Sequence, residues 1–298
     1  MKICFLTQTA TDVSAFYKEF FKGQDLFFLT FKSVNDQAVA HLPKSSWSEG
    51  RNRLWEEVRG KYDYYVFLDD DLSFWKPRLP LPPYGLHLLQ KMQSWFGRGA
   101  LNFCYTQAEP QHFFKRLEHY LSTYSPEVLS VIKFHVPSIV FDEAALKNNS
   151  FVRRVGYFDA EFTVLSDLAA SKMLPYDTKI SGWWSAQLPI YIYAHDVFAS
   201  KAICVTELAT SNHVQNTGYV PGYVGLDDCK KMLAEMTNAT GRNFNALFDE
   251  KTVVDVMYGQ DEILHKIPKP DDKEDYKHNF EEAGLNGLEK FLHPHLKF

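Results

Sequence analysis

The chain has 298 residues, 45% of them apolar and 15% aromatic, enough to bury a substantial core and too many for a disordered chain. A formal net charge of −5 and the lack of any basic run leave no track for a phosphate backbone, which argues against nucleic acid as a partner. No apolar run reaches membrane-spanning length and the apolar start is too short for a signal peptide. The expectation is a cytoplasmic enzyme, with peripheral membrane contact left open.

Residues 3–6 form a short apolar run, a polar string follows, and then Phe16, Tyr17, Phe20 and Phe21 recur at helical spacing. A second apolar run at 26–29 completes a strand, helix and strand at crossover distance, so the chain opens as a βαβ unit. After a loop over 31–45, Ser46-Trp47-Ser48-Glu49 offers the reciprocal capping pattern of a helix start. That helix is expected to run to about Gly60, burying Trp47, Leu54, Trp55 and Val58.

Tyr64-Tyr65-Val66-Phe67-Leu68 then suits a strand buried on both faces of a parallel sheet, and Asp69-Asp70-Asp71 arrive together at its C-terminal end. Crowded like charges raise the pKa of at least one carboxyl unless a cation sits opposite, and a divalent metal carrying phosphate oxygens answers that need. Open α/β sheets bind ligands at the carboxyl ends of their strands. An acidic turn capping a following helix is the plain alternative. Arg51, close before the acidic strand, is read either as an ordinary solvated arginine or as a group that neutralises a phosphate or contacts a base.

Beyond the acidic cluster, Pro77, Pro80, Pro82 and Pro83 make an extended connection. Helices are expected at 86–96 and 111–124, strands at 100–105, 138–141, 190–193 and 202–206, and a short helix opening at Ser166-Asp167-Leu168. A further helix at 226–236 begins a polar remainder, densely charged over 269–277. Cys4, Cys104, Cys204 and Cys229 are far apart and form no Cys-x-x-Cys pair, as buried free thiols in a reducing compartment would be. The fold class expected is α/β: a mixed sheet flanked by helices over 1–225, with a mostly helical extension over 226–298.

Several of these segments together resemble one family. Asp69-Asp70-Asp71 after a buried strand resembles the Asp-x-Asp motif of glycosyltransferases with the GT-A fold, a Rossmann-type architecture. Gly50-Arg51-Asn52 before it is similar to their Ala-Arg-Asn helix, and Gly156-Tyr157-Phe158-Asp159-Ala160-Glu161-Phe162 to their Gly-x-Phe-Asp-Glu-x-Phe segment. Asp167-Leu168 stands where their Glu-Asp-x-Asp-Leu pattern ends, though Val164-Leu165-Ser166 replaces the acidic pair. The likeness spans about residues 1–215.

The resemblance implies a sugar nucleotide donor, with uridine the default base, and a glycan or lipid-linked saccharide acceptor. Asp69 would hold the ribose and Asp71 would ligate Mn²⁺ or Mg²⁺ on the diphosphate, with Asp70 able to substitute in either role. Thr7 and Arg51 would lie near the nucleobase, and His213 would complete the metal site. Asp167, or else Asp159, would take the acceptor proton, helix capping being the other use of Asp167. One of Trp183 and Trp184 would stack on the acceptor sugar; the other suits core packing.

Two other readings remain. Val66-Phe67-Leu68-Asp69-Asp70-Asp71 also resembles the opening of haloacid-dehalogenase-like phosphatases, with Asp69 as nucleophile and Asp71 handling the proton, although that family usually begins with this strand. A sugar-binding or scaffold protein that keeps the fold without chemistry is the third.

Overall fold

The computed structural model describes residues 1–78, 105–133, 152–154, 160–180, 186–187, 194, 197–198, 201–212 and 226–241. The expected helix at 86–96, the strands at 138–141 and 190–193, and the charged stretch at 269–277 lie outside these residues.

The opening βαβ unit forms as the periodicity predicts. Strand β1 (Ile3–Thr9) leads through helix α1 (Ala15–Phe20), capped by the Ser14 hydroxyl, into β2 (Asp25–Thr30), which pairs with β1 in parallel. A two-residue strand β3 (Ala40–His41) extends the edge within the segment expected as loop. Helix α2 (Trp47–Val58) starts with the expected capping box: Glu49 N–H donates to Ser46 Oγ at 3.2 Å, and Ser46 N–H to Glu49 Oε2 at 2.8 Å. It returns the chain to β4 (Tyr64–Asp69), parallel to β1 on the side opposite β2. Residues Tyr64 to Leu68 of β4 are all buried, as a strand covered on both faces requires.

After β4 the sheet becomes mixed. β5 (Leu72–Pro77) and β6 (Tyr105–Gln107) form an antiparallel pair, and Pro77 ends β5 opposite Tyr105 where sequence suggests only an extended connection. Helix α3 (Pro110–Tyr124) precedes β7 (Val128–Lys133) and the short β8 (Val152–Arg154). Then come β9 (Phe162–Ser166), helix α4 (Asp167–Met173), β10 (Ala202–Asn212) and helix α5 (Leu226–Thr240). Among the described residues the strands form one sheet in the order β3-β2-β1-β4-β9-β7-β10-β5-β6, with β8 on β10. β9 is antiparallel to both its neighbours, β4 and β7.

Alternation along the central strands divides the core into two layers. Cys4, Leu6, Tyr65 and Phe67 face α2, α4 and α5; Phe5, Val66, Leu68 and Phe74 face α1 and α3 in a layer rich in phenylalanine. Met232 and Leu233 of α5 are buried in the first layer, so the helix following residue 225 packs with the sheet. Cys4 and Cys204 are buried free thiols, and no helix among the described residues is long and apolar enough to cross a membrane.

Candidate functional site

The connections leaving β1 and reaching β4 run to opposite sides of β1, so the chain changes winding direction between these two strands. In an open α/β sheet a crevice forms outside the carboxyl ends of the strands at such a point. β1 ends there with Gln8 and Thr9; β4 ends there with Asp69, in register with Gln8, and the chain turns through Asp70 and Asp71 into β5. β9 begins on the other flank: the Asp69 N–H donates to the Glu161 carbonyl at 3.0 Å. Leu72 pairs with Asn212, the last residue of β10.

On the α2 side, Asp69 meets Arg51, only 2% exposed. Arg51 Nη2 donates to Asp69 Oδ1 at 3.1 Å and to the Ala160 carbonyl at 3.0 Å. Its guanidinium lies 4.1 Å from the Trp47 ring centre and 5.6 Å from that of Phe67, so aromatic faces and a carboxylate compensate its loss of water. Burial raises the pKa of the Tyr176 phenol, and the Arg51 cation opposes that shift. Asn52 clamps the backbone of Tyr176, accepting from its N–H at 2.6 Å and donating to its carbonyl at 2.9 Å. Gln8 Nε2 donates to the Trp47 carbonyl at 2.7 Å, and a Cβ on Gly50 would stand 2.1 Å from Gln8 Oε1. The buried Gln8 amide therefore fills the place an alanine methyl would take, which explains glycine before Arg51-Asn52.

Asp70 belongs to the α1 side. Burial raises its pKa, the nearby Thr9 hydroxyl opposes that shift, and the charge of Asp71 adds to it. None of the ion pairs among the described residues involves Asp70 or Asp71. The Tyr17 hydroxyl reaches up from α1, donating to the Asp69 carbonyl and accepting from the Leu72 N–H at 3.2 Å. Two carboxylates side by side without a basic partner suit a hard divalent cation whose other ligands are phosphate oxygens and water. No three Asp, Glu, His or Cys side chains converge on one point among the described residues, so these residues fit a cation shared with a ligand and not a closed protein cage.

The other expected site residues fall differently. Thr7 is 1% exposed and one side-chain repeat inside the end of β1, where its buried hydroxyl has no hydrogen-bond partner among the described residues. Thr9 holds the edge instead. Asp167 does not join the site: because β9 is antiparallel to β4, it follows Ser166, the partner of Tyr64, at the opposite end of β4. That is about 20 Å along the sheet from Asp69 at the rise of an extended strand. Asp167 opens α4 and accepts a 2.9 Å hydrogen bond from the Tyr65 hydroxyl, whose pKa is pushed up to about 12 by burial and by this carboxylate. Asp159, Trp183, Trp184 and His213 lie outside the described residues.

Sequence reading missed two residues here. Tyr17 looked like one more aromatic of an amphipathic helix. Glu161, 1% exposed, accepts from Thr210 Oγ1 at 2.5 Å and stands beside Asp69, just before β9. Its signal was its place in the 156–162 segment, where Asp159 drew the assignment instead.

No protein-family model and no curated protein matches the sequence. Among solved structures, the chain is similar to TarS 1–349 of S. aureus, at 9% identity over 80% of this chain and 66% of that one, with a TM-score of 0.43. It is similar to GalNAc-T7, solved with UDP, GalNAc and Mn²⁺, at 8% identity over 97% of this chain and 56% of that one, with a TM-score of 0.47. A third is the mannosyltransferase PcManGT from Pyrobaculum calidifontis, in complex with GDP-Man and Mn²⁺, at 10% identity, 95% and 72% coverage and a TM-score of 0.41. The chain thus spans less than two thirds of the first two. At this level no residue, ligand or activity is transferred from these proteins.

Proposed function

We propose that the chain is a metal-dependent glycosyltransferase of GT-A type, moving a sugar from a nucleoside-diphosphate sugar, with a uridine donor as the default, to a glycan or lipid-linked saccharide. The observation that carries this reading is the Asp69-Asp70-Asp71 turn at the carboxyl ends of parallel strands, where the winding direction changes between β1 and β4.

Asp70 and Asp71 hold the Mn²⁺ or Mg²⁺, and His213, next in sequence after Asn212 opposite Leu72, completes its protein ligands. When bound, the cation stabilises negative charge on the leaving nucleoside diphosphate. Asp69, oriented by Arg51, accepts from the ribose hydroxyls. Arg51 sits behind Asp69 and acts on the nucleotide through it. Asp159 takes the acceptor proton, and one of Trp183 and Trp184 stacks on the acceptor sugar. Widely spaced cysteines, with Cys4 and Cys204 buried and free, support a cytoplasmic setting. Nothing among the described residues favours the phosphatase reading, since the Asp69 carboxylate that would attack phosphorus is tethered to a buried arginine.

Isothermal titration of UDP and GDP, with and without Mn²⁺, tests the reading. Tight binding that needs Mn²⁺ and is lost in Asp71→Ala supports it and selects the base. Folded wild-type protein that binds neither nucleotide rejects it for these donors, and phosphomonoester hydrolysis lost in Asp69→Asn replaces it with the phosphatase.

A further inference from the structure

The turn that carries the carboxylates is fastened by a side chain from another element. Asp69 to Leu72 are the four residues that take the chain from β4 to β5, and in such a turn the first carbonyl and the fourth N–H are the groups that face each other. The Tyr17 hydroxyl engages both: it donates to the Asp69 carbonyl and accepts from the Leu72 N–H. One oxygen thus fixes the two ends of the turn, with Asp70 and Asp71 between them.

The ring that carries this hydroxyl has little freedom. Tyr17 is 1% exposed, with its ring centre 5.3 Å from Phe21 and 6.2 Å from Phe74, the latter on β5 itself. Packing by apolar neighbours explains a buried ring, and phenylalanine would meet that need equally well; the hydroxyl is explained only by the turn. The Ser14 cap on the Tyr17 N–H sets where the ring leaves α1.

We propose that Tyr17 is a positioning residue that sets the spacing and direction of the Asp70 and Asp71 carboxylates toward a cation-bound diphosphate, through its double contact with the turn. This rests on the nucleotide-sugar reading of the same site. Tyr17→Phe removes the hydroxyl and leaves the packing, so the turn relaxes while the domain stays folded.

The test compares the factor by which Mn²⁺ tightens UDP or GDP binding in four full-length proteins: wild type, Tyr17→Phe, Phe20→Leu and Asp71→Ala. Phe20 packs in the same aromatic layer, stacked on Phe74 at 4.4 Å, and its ring carries no polar group to bond the turn. Tyr17→Phe is expected to lose about tenfold of the Mn²⁺ enhancement with unchanged metal-free affinity, the scale of hydrogen bonds lost at a preorganised turn. Phe20→Leu is expected to lower the melting temperature and keep the full enhancement. Wild-type enhancement in Tyr17→Phe, or an equal loss in Phe20→Leu, overturns the positioning role alone. Absence of enhancement in wild type, or its survival in Asp71→Ala, overturns the nucleotide-sugar reading and this inference with it.

Discussion

The two ends of β4 carry the same kinds of group and use them differently. At the N-terminal end, Asp167 accepts from the Tyr65 hydroxyl, the Ser166 hydroxyl donates to Glu127, and the Lys2 N–H donates to Asp63 at 2.6 Å. Each of these carboxylates finishes a helix start or a chain crossing. At the C-terminal end Arg51 holds Asp69 and Thr210 donates to Glu161, whereas Asp70 and Asp71 have no basic partner among the described residues. Strand direction separates a structural carboxylate from one available to a ligand. Residue type and spacing do not.

Replacing one carboxylate at each end breaks the comparison most directly. Asp71→Ala is expected to weaken Mn²⁺-dependent nucleotide binding about 100-fold, the loss of a charge-assisted contact, whereas Asp167→Asn leaves it unchanged in the same titration. A comparable loss in Asp167→Asn would return that residue to the site. Next in size is Arg51→Met, which removes the cation buried behind Asp69. Denaturant unfolding should show a loss of about 2 kcal/mol, below the roughly 3–5 kcal/mol of a fully buried pair because the 36% exposed Asp69 side chain rehydrates.

Tyr65→Phe probes the other end. It removes the donor to Asp167 and the acceptor of the Gly60 N–H, and should cost about 1 kcal/mol of stability with no change in nucleotide affinity. The smallest effect concerns Asp70. Its pKa is raised on folding, so the native state holds its proton to higher pH than the unfolded chain, and stability falls as pH rises from the ordinary carboxylate value through the raised one. In a chelator, Asp70→Asn should therefore be more stable than wild type at neutral pH, with the advantage fading as pH falls through the raised value toward the ordinary carboxylate one. A constant difference across pH would show that Asp70 is not strained by burial.

Local pattern made much of this legible. The capping box at Ser46 and Glu49, the five-residue buried run of β4, the βαβ opening and the acidic turn all follow from neighbours in sequence, because caps and alternation are satisfied within a few residues. β7 and β9 were not legible. β9 is buried at all five positions, so it shows no alternation to distinguish it from any apolar stretch. Its antiparallel register was hidden too, and that register carries Asp167 away from the acidic turn while bringing Glu161 beside it.

The sequence by itself determined that a buried strand ends in three carboxylates and that a capped helix bearing Arg51 and Asn52 precedes it. Only the tertiary structure decided that Arg51 serves Asp69, that the Gln8 amide lies where a side chain at position 50 would go, and that the Tyr17 hydroxyl fastens the turn. The physical reason is that periodicity reports which face of an element leaves water, whereas the partner met on that face depends on strand order and direction, set by packing between distant segments.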